Sequence, residues 1–206
     1  MHRALLLPSV TALLTIALAL PAGAQSVVGK GKIGPPPDPV NLDITGLFQA
    51  KYASVGDDLF IAGQPTERAL RELKAKGVTT VVNLRMPEEM KQIGFDEAAL
   101  LKELGMTYVH IPMRGSPENP YGPKQLDQFA ETMASTQGKL LLHCTVAWRA
   151  SHLWAAYLIR DRGVPVATAL AQTRSINLRD EAPFGGQQPI EGFLGRTIPE
   201  LARPKQ

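Results

Sequence analysis

The stretch Lys139–Arg162, KLLLHCTVAWRASHLWAAYLIRDR, decides the fold of this chain. It begins with a short apolar run, Leu140–Leu142, which predicts a buried strand. A tight loop starts at Cys144, and after it apolar residues recur at helical spacing: Leu153, Trp154, Tyr157 and Leu158. The sequence therefore predicts a strand, a loop and a helix, with a thiol at the turn.

A loop that leads from the end of a strand into the N-terminus of a helix is suited to binding anions. Its backbone N–H groups lack helical partners, and the helix macrodipole is positive there. A cysteine in that position has a stabilised thiolate and can act as a nucleophile. Arg149 follows Cys144 by five positions, so its planar guanidinium can face the same anion and hold two of its oxygens. A nucleophilic thiol and an arginine around an anion-binding loop are the groups that thiol phosphatases and thiol sulfurtransferases need.

The same residues also fit a purely structural role. Cysteine is among the most buried residue types, so Cys144 could be a small core side chain and Arg149 a solvated helix residue. Short motifs of this kind also occur by chance, so the pattern around Cys144 leaves both interpretations open.

The first 24 residues predict a secretory signal peptide. Met1–Ala24 combines a basic start, an apolar run over residues 10–20 and the small-residue sequence Ala22-Gly23-Ala24 before Gln25. We expect cleavage after Ala24 and a periplasmic or secreted protein, without stable membrane insertion of the mature chain. Cys144 is the only cysteine, so the exported protein is predicted to have no internal disulfide.

Composition predicts a single domain between two Gly- and Pro-rich tails. The chain has 206 residues and a formal net charge of +3, a balance too mild to argue for nucleic acid as a partner. Residues 25–45 predict a linker, and residues 179–206 predict a tail along the surface with a short helix near residues 198–202. Residues 46–178 are predicted to form the domain.

Strands and helices alternate along this predicted domain. Apolar and β-branched runs predict strands at residues 58–62, 79–84, 106–111 and 140–142. Capping signals and periodicity predict helices after residues 63–66, at about 96–104, at 123–135, after Cys144 and at about 165–174. The alternation predicts an α/β fold with a mostly parallel central sheet flanked by helices. Ligands bind beyond the carboxyl ends of the strands in such sheets, where Cys144 would lie.

Four short motifs, in order along the chain, resemble one protein family. They are Gly63-Gln64-Pro65-Thr66, Val82-Asn83-Leu84-Arg85, Tyr108-Val109-His110-Ile111-Pro112, and His143-Cys144 with Arg149. Together they resemble the bacterial protein-tyrosine-phosphatase-like family related to beta-lactamase-hydrolase-like phosphatases and atypical dual-specificity phosphatases. The resemblance covers about residues 57–171. It implies a fold of the cysteine-phosphatase type and hydrolysis of a phosphorylated small molecule or protein through a cysteinyl-phosphate, with no cofactor.

The resemblance also implies roles for the residues of the loop. Cys144 would be the nucleophile, and Arg149 would bind the phosphoryl oxygens. The backbone of the residues between them would line the phosphate site: Thr145, Val146, Ala147 and Trp148. His143 would support the loop and the thiolate, with a hydrogen-bonded core histidine as the alternative.

A thiol phosphatase also needs an acid that protonates the leaving group. Similar enzymes keep an aspartate in the loop that corresponds to residues 114–122, but this loop contains no aspartate. Glu118 is the best candidate for the acid, and Asp127, in the following helix, is a weaker one. A solvated surface charge is the alternative for either residue.

Metal chemistry finds little support in the sequence. His110, His143 and His152 show no metal-ligand spacing with one another or with acidic residues, so no metal site is predicted. The family that the chain resembles requires no metal either.

The loop departs from the family pattern at two positions. Ala147 stands where relatives usually carry glycine, and alanine pays a steric cost if that residue must take a positive φ. Trp148 replaces a small polar residue with a bulky ring. These changes leave room for a catalytically weak anion-binding or interaction module.

The spacing of the motif keeps another alternative open. Four residues separate Cys144 from Arg149, one fewer than in the main tyrosine phosphatases. Rhodanese-like sulfurtransferases, whose cysteine carries a persulfide, have this shorter loop. A sulfurtransferase is therefore the second candidate for an enzyme.

Overall fold

A mixed sheet lies at the centre of the computed structural model, which describes residues 34–179 and 189–201. Its strands are β1 (Val40–Asn41), β2 (Tyr52–Val55), β3 (Leu59–Ala62), β4 (Val78–Asn83), β5 (Thr107–His110) and β6 (Lys139–His143). The helices are α1 (Glu67–Ala75), α2 (Pro87–Met90), α3 (Glu97–Glu103), α4 (Pro123–Ser135), α5 (Trp148–Arg160), α6 (Val166–Arg174) and α7 (Pro189–Leu194), followed by a 3₁₀ turn at Pro199–Leu201. The predicted signal peptide, residues 1–24, lies outside the described residues. Every helix in residues 34–179 and 189–201 is too short or too polar to span a lipid bilayer.

The order of the strands is β1-β2-β3-β6-β4-β5. The pairs β1–β2 and β2–β3 are antiparallel, and the remaining neighbours are parallel. The predicted α/β fold with a mostly parallel sheet is therefore confirmed. The last residue of β6, His143, pairs with Ala62 at the end of β3 and with Asn83 at the end of β4. Three of the four sequence motifs therefore meet at the carboxyl ends of β3, β4 and β6.

Helices cover both faces of the sheet, which explains the uninterrupted apolar run in β6. Leu140 and Leu142 point into a core formed with α4, α5, α6 and α7. Leu141 points the other way, into a core formed with α1 and α3. Side chains alternate across a strand, so a strand that is covered on both faces must be apolar at every position.

Local signals set the starts of the predicted helices. The Thr66 hydroxyl accepts a hydrogen bond from Ala69 N at 3.2 Å, which caps α1, and Asp96 caps α3 through Ala99 N at 3.0 Å. Pro123 takes the first position of α4, where its missing N–H costs nothing. These helices lie where the capping signals predict them.

Four elements lie where the sequence predicted none. Strand β1 is in the predicted linker, and β2 precedes the first predicted strand. Helix α2 lies between the strand predicted at 79–84 and the helix predicted at about 96–104, and α7 is in the predicted C-terminal tail. Each is six residues or shorter, too short to show a periodic pattern, and such elements depend on tertiary packing for their stability. Ile190 and Phe193 of α7 are buried in the core, so this part of the tail belongs to the domain.

Candidate active site

The loop after β3 packs directly against the cysteine loop, and Gly63 makes this possible. Gln64 N donates to Thr145 O at 2.9 Å, and Gly63 forms a bridge with Val146. A Cβ atom on Gly63 would lie 1.7 Å from Gln49 O and 2.8 Å from Thr145 O. Only glycine fits between these two backbone segments. This explains why the Gly63-Gln64-Pro65-Thr66 motif begins with glycine.

Cys144 lies at the wall of a cavity of about 870 Å³. The residue is buried, and its N–H donates to Ala62 O at 3.3 Å. The first helical hydrogen bond of α5 runs from Ser151 N to Ala147 O. The N–H groups of the first three helical residues therefore have no acceptor within the helix. Thr145, Val146, Trp148 and Arg149 line the same cavity. The fold thus brings the predicted loop residues together with the thiol at the start of a helix.

Ala147 adopts the left-handed backbone conformation that favours glycine, the residue that relatives usually carry at this position. Its φ is 65° and its ψ is 1°, in the left-handed region, and it caps α5. The only other non-glycine residue with positive φ in the described chain is Ala50, which lines the cavity. Strained backbone of this kind costs free energy and concentrates at functional sites.

Arg149 is held by a carboxylate that the sequence analysis missed. Its Nη1 and Nη2 atoms donate to the two oxygens of Glu89 at 2.8 and 2.7 Å. Nη1 also donates to Leu84 O and Met113 O, both at 3.1 Å, and Nη2 donates to the Thr145 hydroxyl at 3.0 Å. Within the described chain Nε of Arg149 has no hydrogen-bond partner, and Arg149 lines the cavity.

Glu89 is ionised in this setting. Burial alone would raise the pKa of its carboxyl, but hydrogen bonds from Arg149, Met86 N and the Thr145 hydroxyl, with the charge of Arg149, lower the pKa to about 2. A sequence signal for Glu89 does exist, because a proline followed two positions later by a glutamate is typical of a helix N-terminus. Glu89 accepts from Met86 N at 2.7 Å in that manner. Its pairing with Arg149, 60 positions away, has no sequence signal.

A second carboxylate near the cysteine loop, Glu97, is buried and contacts residues of three of the sequence motifs. It is 2% exposed and accepts hydrogen bonds from Gln64 Nε2 at 2.8 Å, Asn83 Nδ2 at 3.0 Å and His143 Nε2 at 3.0 Å. Burial raises the pKa of Glu97, whereas His143, Gln64 and Asn83 together lower it below its ordinary value. His143 is fully buried, and the structure places it against this carboxylate.

The two candidates for the acid lie away from the cavity. Glu118 does not line it, and the pKa of Glu118 is lowered by hydrogen bonds with its own N–H and with Ser116. Asp127 accepts from Arg160 Nη1 at 2.7 Å on the surface of α4 and α5. Arg114 and Tyr121, from the two ends of the loop that contains Glu118, do line the cavity.

The other two histidines in the described part of the chain, His110 and His152, make hydrogen bonds with backbone carbonyls. His110 Nε2 lies 2.7 Å from Arg85 O, and His152 Nδ1 lies 2.8 Å from Trp148 O. The ring of Trp148 packs against the ring of His152, with 4.2 Å between the ring centroids. Within residues 34–179 and 189–201, no three His, Cys, Asp or Glu side chains form a group that could hold a metal ion.

Comparison with known proteins agrees with this geometry. Residues 51–187 match the model of a family described as a DSP-PTPase phosphatase fused to NAD+ kinase. The chain belongs to this family. The resemblance that the four motifs predicted, to cysteine phosphatases of the dual-specificity type, is thereby confirmed.

The chain is also similar to individual proteins. A beta-lactamase hydrolase-like protein of Xylella fastidiosa strain Temecula1 is 30% identical over 156 residues, which are 74% of this chain and 32% of the relative. The chain thus spans about a third of the length of that relative. The crystal structure of a putative phosphatase from Shewanella putrefaciens CN-32 has a TM-score of 0.55 and 28% identity, covering 74% of this chain and 92% of the other. TpbA from P. aeruginosa, at 17% identity and a TM-score of 0.53 over 81% of this chain and 94% of its own, shares the fold.

The positive φ of Ala147, at a position where relatives usually carry glycine, leads to a testable prediction. Replacing Ala147 with glycine relieves about 1–2 kcal/mol of left-handed strain but loses about 0.8 kcal/mol of methyl burial and about 0.5–1 kcal/mol of chain entropy. We therefore expect the free energy of unfolding to stay within about 1 kcal/mol and any aryl phosphate turnover to stay within about threefold. Urea denaturation and initial rates measure the two quantities.

A matched variant separates backbone strain from side-chain size at this position. Ala147→Val adds a branched side chain at a fully buried site with positive φ, and we expect it to lose at least about 2 kcal/mol of stability. A glycine variant that turns over tenfold faster than the natural protein would contradict our expectation and would show that strain at Ala147 limits the rate.

Proposed function

We propose that the protein hydrolyses phosphate monoesters through a covalent intermediate on Cys144. The observation that carries this proposal is the position of the thiol, at the wall of a large cavity and at the N-terminus of α5, with Arg149 on the same wall. Membership of the DSP-PTPase family supports the same chemistry. The substrate would be a phosphorylated small molecule or protein.

The reaction would proceed in two steps. The Cys144 thiolate attacks phosphorus, an S–P bond forms, and the P–O bond to the leaving group breaks. Water then attacks phosphorus, the S–P bond breaks, and inorganic phosphate and the thiolate are released. The N–H groups at the start of α5 and the Arg149 guanidinium stabilise the charge on the phosphoryl oxygens. Since Glu89 holds both amino groups of Arg149, Nε is the donor that remains for the anion.

Sulfur transfer is the second candidate function, and the four-residue spacing between Cys144 and Arg149 favours it. One pair of assays separates the two functions. Hydrolysis predicts release of phosphate from an aryl phosphate, whereas sulfur transfer predicts thiocyanate from thiosulfate and cyanide. An anion-binding module without catalysis predicts neither product, while inorganic phosphate still raises the melting temperature by binding the folded state.

The assignment of the acid to Glu118 stays a prediction, and the choice of substrate tests it. Glu118→Ala should slow alkyl phosphates at least about tenfold more than aryl phosphates, because only the poorer leaving group needs the proton. Asp127→Ala is the matched control, since Asp127 is held by Arg160 on the surface. Equal slowing of both substrates in Glu118→Ala would exclude Glu118 as the acid.

We also propose that the protein is exported, on the evidence of the signal-like sequence Met1–Ala24. The expected mature N-terminus is Gln25. Determining the N-terminal sequence of the protein recovered from the periplasm or medium of its host tests this, and retention of the full chain in the cytoplasm would contradict it.

A further inference from the structure

The cavity at Cys144 is larger than one phosphoryl group needs. Its volume of about 870 Å³ lies in the range of sites that enclose a whole small molecule, about 300–1,000 Å³. The rings of Tyr121 and Trp148 form part of its wall, with 6.2 Å between the ring centroids. Aromatic rings offer a large surface against which the apolar body of a ligand can pack. The cavity therefore has room for a substrate that extends well beyond the phosphate that reacts.

Four cationic side chains line this cavity, against one acidic side chain in the described part of its wall. The cations come from four separate segments: Lys51, Arg114, Arg149 and Arg179. The acidic side chain, Glu89, is bonded to Arg149 at 2.7 Å. Arg114 is paired at 2.7 Å with Glu88, which lies outside the wall. Two of the four cations are therefore paired with a carboxylate.

The other two cations, Lys51 and Arg179, have no such partner. Within residues 34–179 and 189–201, neither side chain forms an ion pair with a carboxylate. Arg179 Nε donates to Asn177 Oδ1 at 3.4 Å, which is a long hydrogen bond to a neutral amide. Clefts that are lined by charge of one sign attract ligands of the opposite sign. Two positive charges at the wall are thus left for an anion other than the phosphoryl group at Arg149.

Both unpaired cations are anchored to one residue of the cysteine loop, Val146. Gly63 forms a bridge with Val146, and Gly63 N donates to Lys51 O at 2.8 Å. From another segment, Asn177 Nδ2 donates to Val146 O at 2.5 Å, and Arg179 follows Asn177 by two positions. Lys51 and Arg179 therefore lie beside the loop at which the first phosphate would react, and both line its cavity.

The backbone just before Lys51 is strained. Ala50 has a φ of 70°, in the left-handed region that disfavours alanine, and it lines the cavity. The Ala50 side chain is exposed, so burial of its methyl group does not account for this conformation. The turn is fixed by Gln49 N, which donates to Gln64 O at 2.9 Å. The strained turn places Lys51 at the wall, and strain of this kind concentrates at functional sites.

We propose that Lys51 and Arg179 bind a second anionic group of the substrate, and that the substrate is a small molecule with two phosphate groups. The inference rests on the proposed function: one phosphate reacts at Cys144, and the other is held at the wall. A phosphate carries about 1.5 to 2 negative charges at neutral pH, which suits two unpaired cations. The arginine fork can bind two of its oxygens, and the lysine adds a point charge. The body between the two phosphates packs against Tyr121 and Trp148.

Calorimetric titration of Cys144→Ser tests this inference without turnover. The probes are alkane bisphosphates from ethane to hexane with one phosphate at each end, each compared with the alkyl monophosphate of the same length. Salt at about 0.15 M screens the field of distant charges. We expect at least one bisphosphate to bind at least about tenfold more tightly than its monophosphate, because charge-assisted hydrogen bonds are added. Equal affinities within every pair would overturn the proposal.

Two variants assign the effect to the two cations. Lys51→Met and Arg179→Met, each combined with Cys144→Ser, remove the charge and keep a long side chain. Each should weaken binding of that bisphosphate at least about fivefold and change binding of the monophosphate less than about twofold. Arg71→Met is the matched control, because it removes one positive charge from an exposed pair with Glu103, outside the cavity wall, and should change neither affinity.

The remaining outcomes also decide the question. A preference for the bisphosphate that survives in both Lys51→Met and Arg179→Met would overturn the proposal, as would a variant that loses both ligands equally. A phosphotyrosyl peptide flanked by glutamates that binds more tightly than every bisphosphate would overturn the choice of a small molecule. If the natural protein releases phosphate from none of the probes, the proposed hydrolysis is refuted and the second anion site stands, because affinity is measured without the nucleophile.

Discussion

Cys144→Ser should lower turnover of an aryl phosphate by at least about a thousandfold, on the scale of losses seen when a catalytic nucleophile is removed. A serine hydroxyl stays protonated at neutral pH, where a cysteine thiolate is a strong nucleophile. The backbone N–H groups at the start of α5 and the Arg149 side chain remain in place, so binding of inorganic phosphate should change by less than about threefold. Initial rates and calorimetric titration with phosphate measure the two effects.

The two readouts also separate the competing interpretations of Cys144. If the thiol were only a small core side chain, Cys144→Ser would place a hydroxyl in the core and lower stability, with no specific effect on turnover. Cys144→Ala is the matched control, since it removes the nucleophile without adding a polar group. Full activity in Cys144→Ser would refute the thiol mechanism.

Gly63→Ala should lower the free energy of unfolding by at least about 3 kcal/mol, above the usual cost of overpacking, because backbone atoms cannot swing aside as side chains do. The added Cβ would lie 1.7 Å from Gln49 O and 2.8 Å from Thr145 O. The chain must then separate the β3 loop from the cysteine loop, so phosphate binding should weaken together with stability. Urea denaturation and phosphate titration follow the two losses.

A second glycine serves as the control for this prediction. Gly94 has a φ of +78°, and a Cβ there would meet nothing within 4 Å. Gly94→Ala should therefore cost only the strain of a left-handed alanine, about 1 kcal/mol, and leave phosphate binding unchanged. If Gly63→Ala cost no more than Gly94→Ala, the segment around Gln49 would be free to move and the close contact would not constrain the site.

The candidate site was predicted in part because its most informative residues are neighbours in the chain. Cys144 and Arg149 belong to one strand-loop-helix unit, and the left-handed conformation at Ala147 follows from the geometry of that unit. Glu89 and Glu97 were not predicted, although they bind Arg149 and His143. Both lie in short helices rich in charged residues, where a solvated surface position is the ordinary expectation.

The elements that the sequence did not reveal have a similar explanation. Strand β1 has two residues and α7 has six, so neither shows a periodic pattern. Helix α7 is stabilised by burial of Phe193, whose ring packs against Tyr121 with 5.6 Å between the ring centroids. That contact spans 72 positions of the chain and has no local signature.

The amino-acid sequence alone determined the alternation of strands and helices, the buried character of β6, the thiol at the start of α5 and the family. These properties depend on the order and spacing of neighbouring residues, and hydrophobic burial and helix capping act over that range. The tertiary structure decided that Glu89 orients Arg149 and that Glu97 receives a donor from each of three strand ends. Parallel strands place their carboxyl ends at one edge of the sheet, so side chains from distant motifs meet there only once the chain has folded.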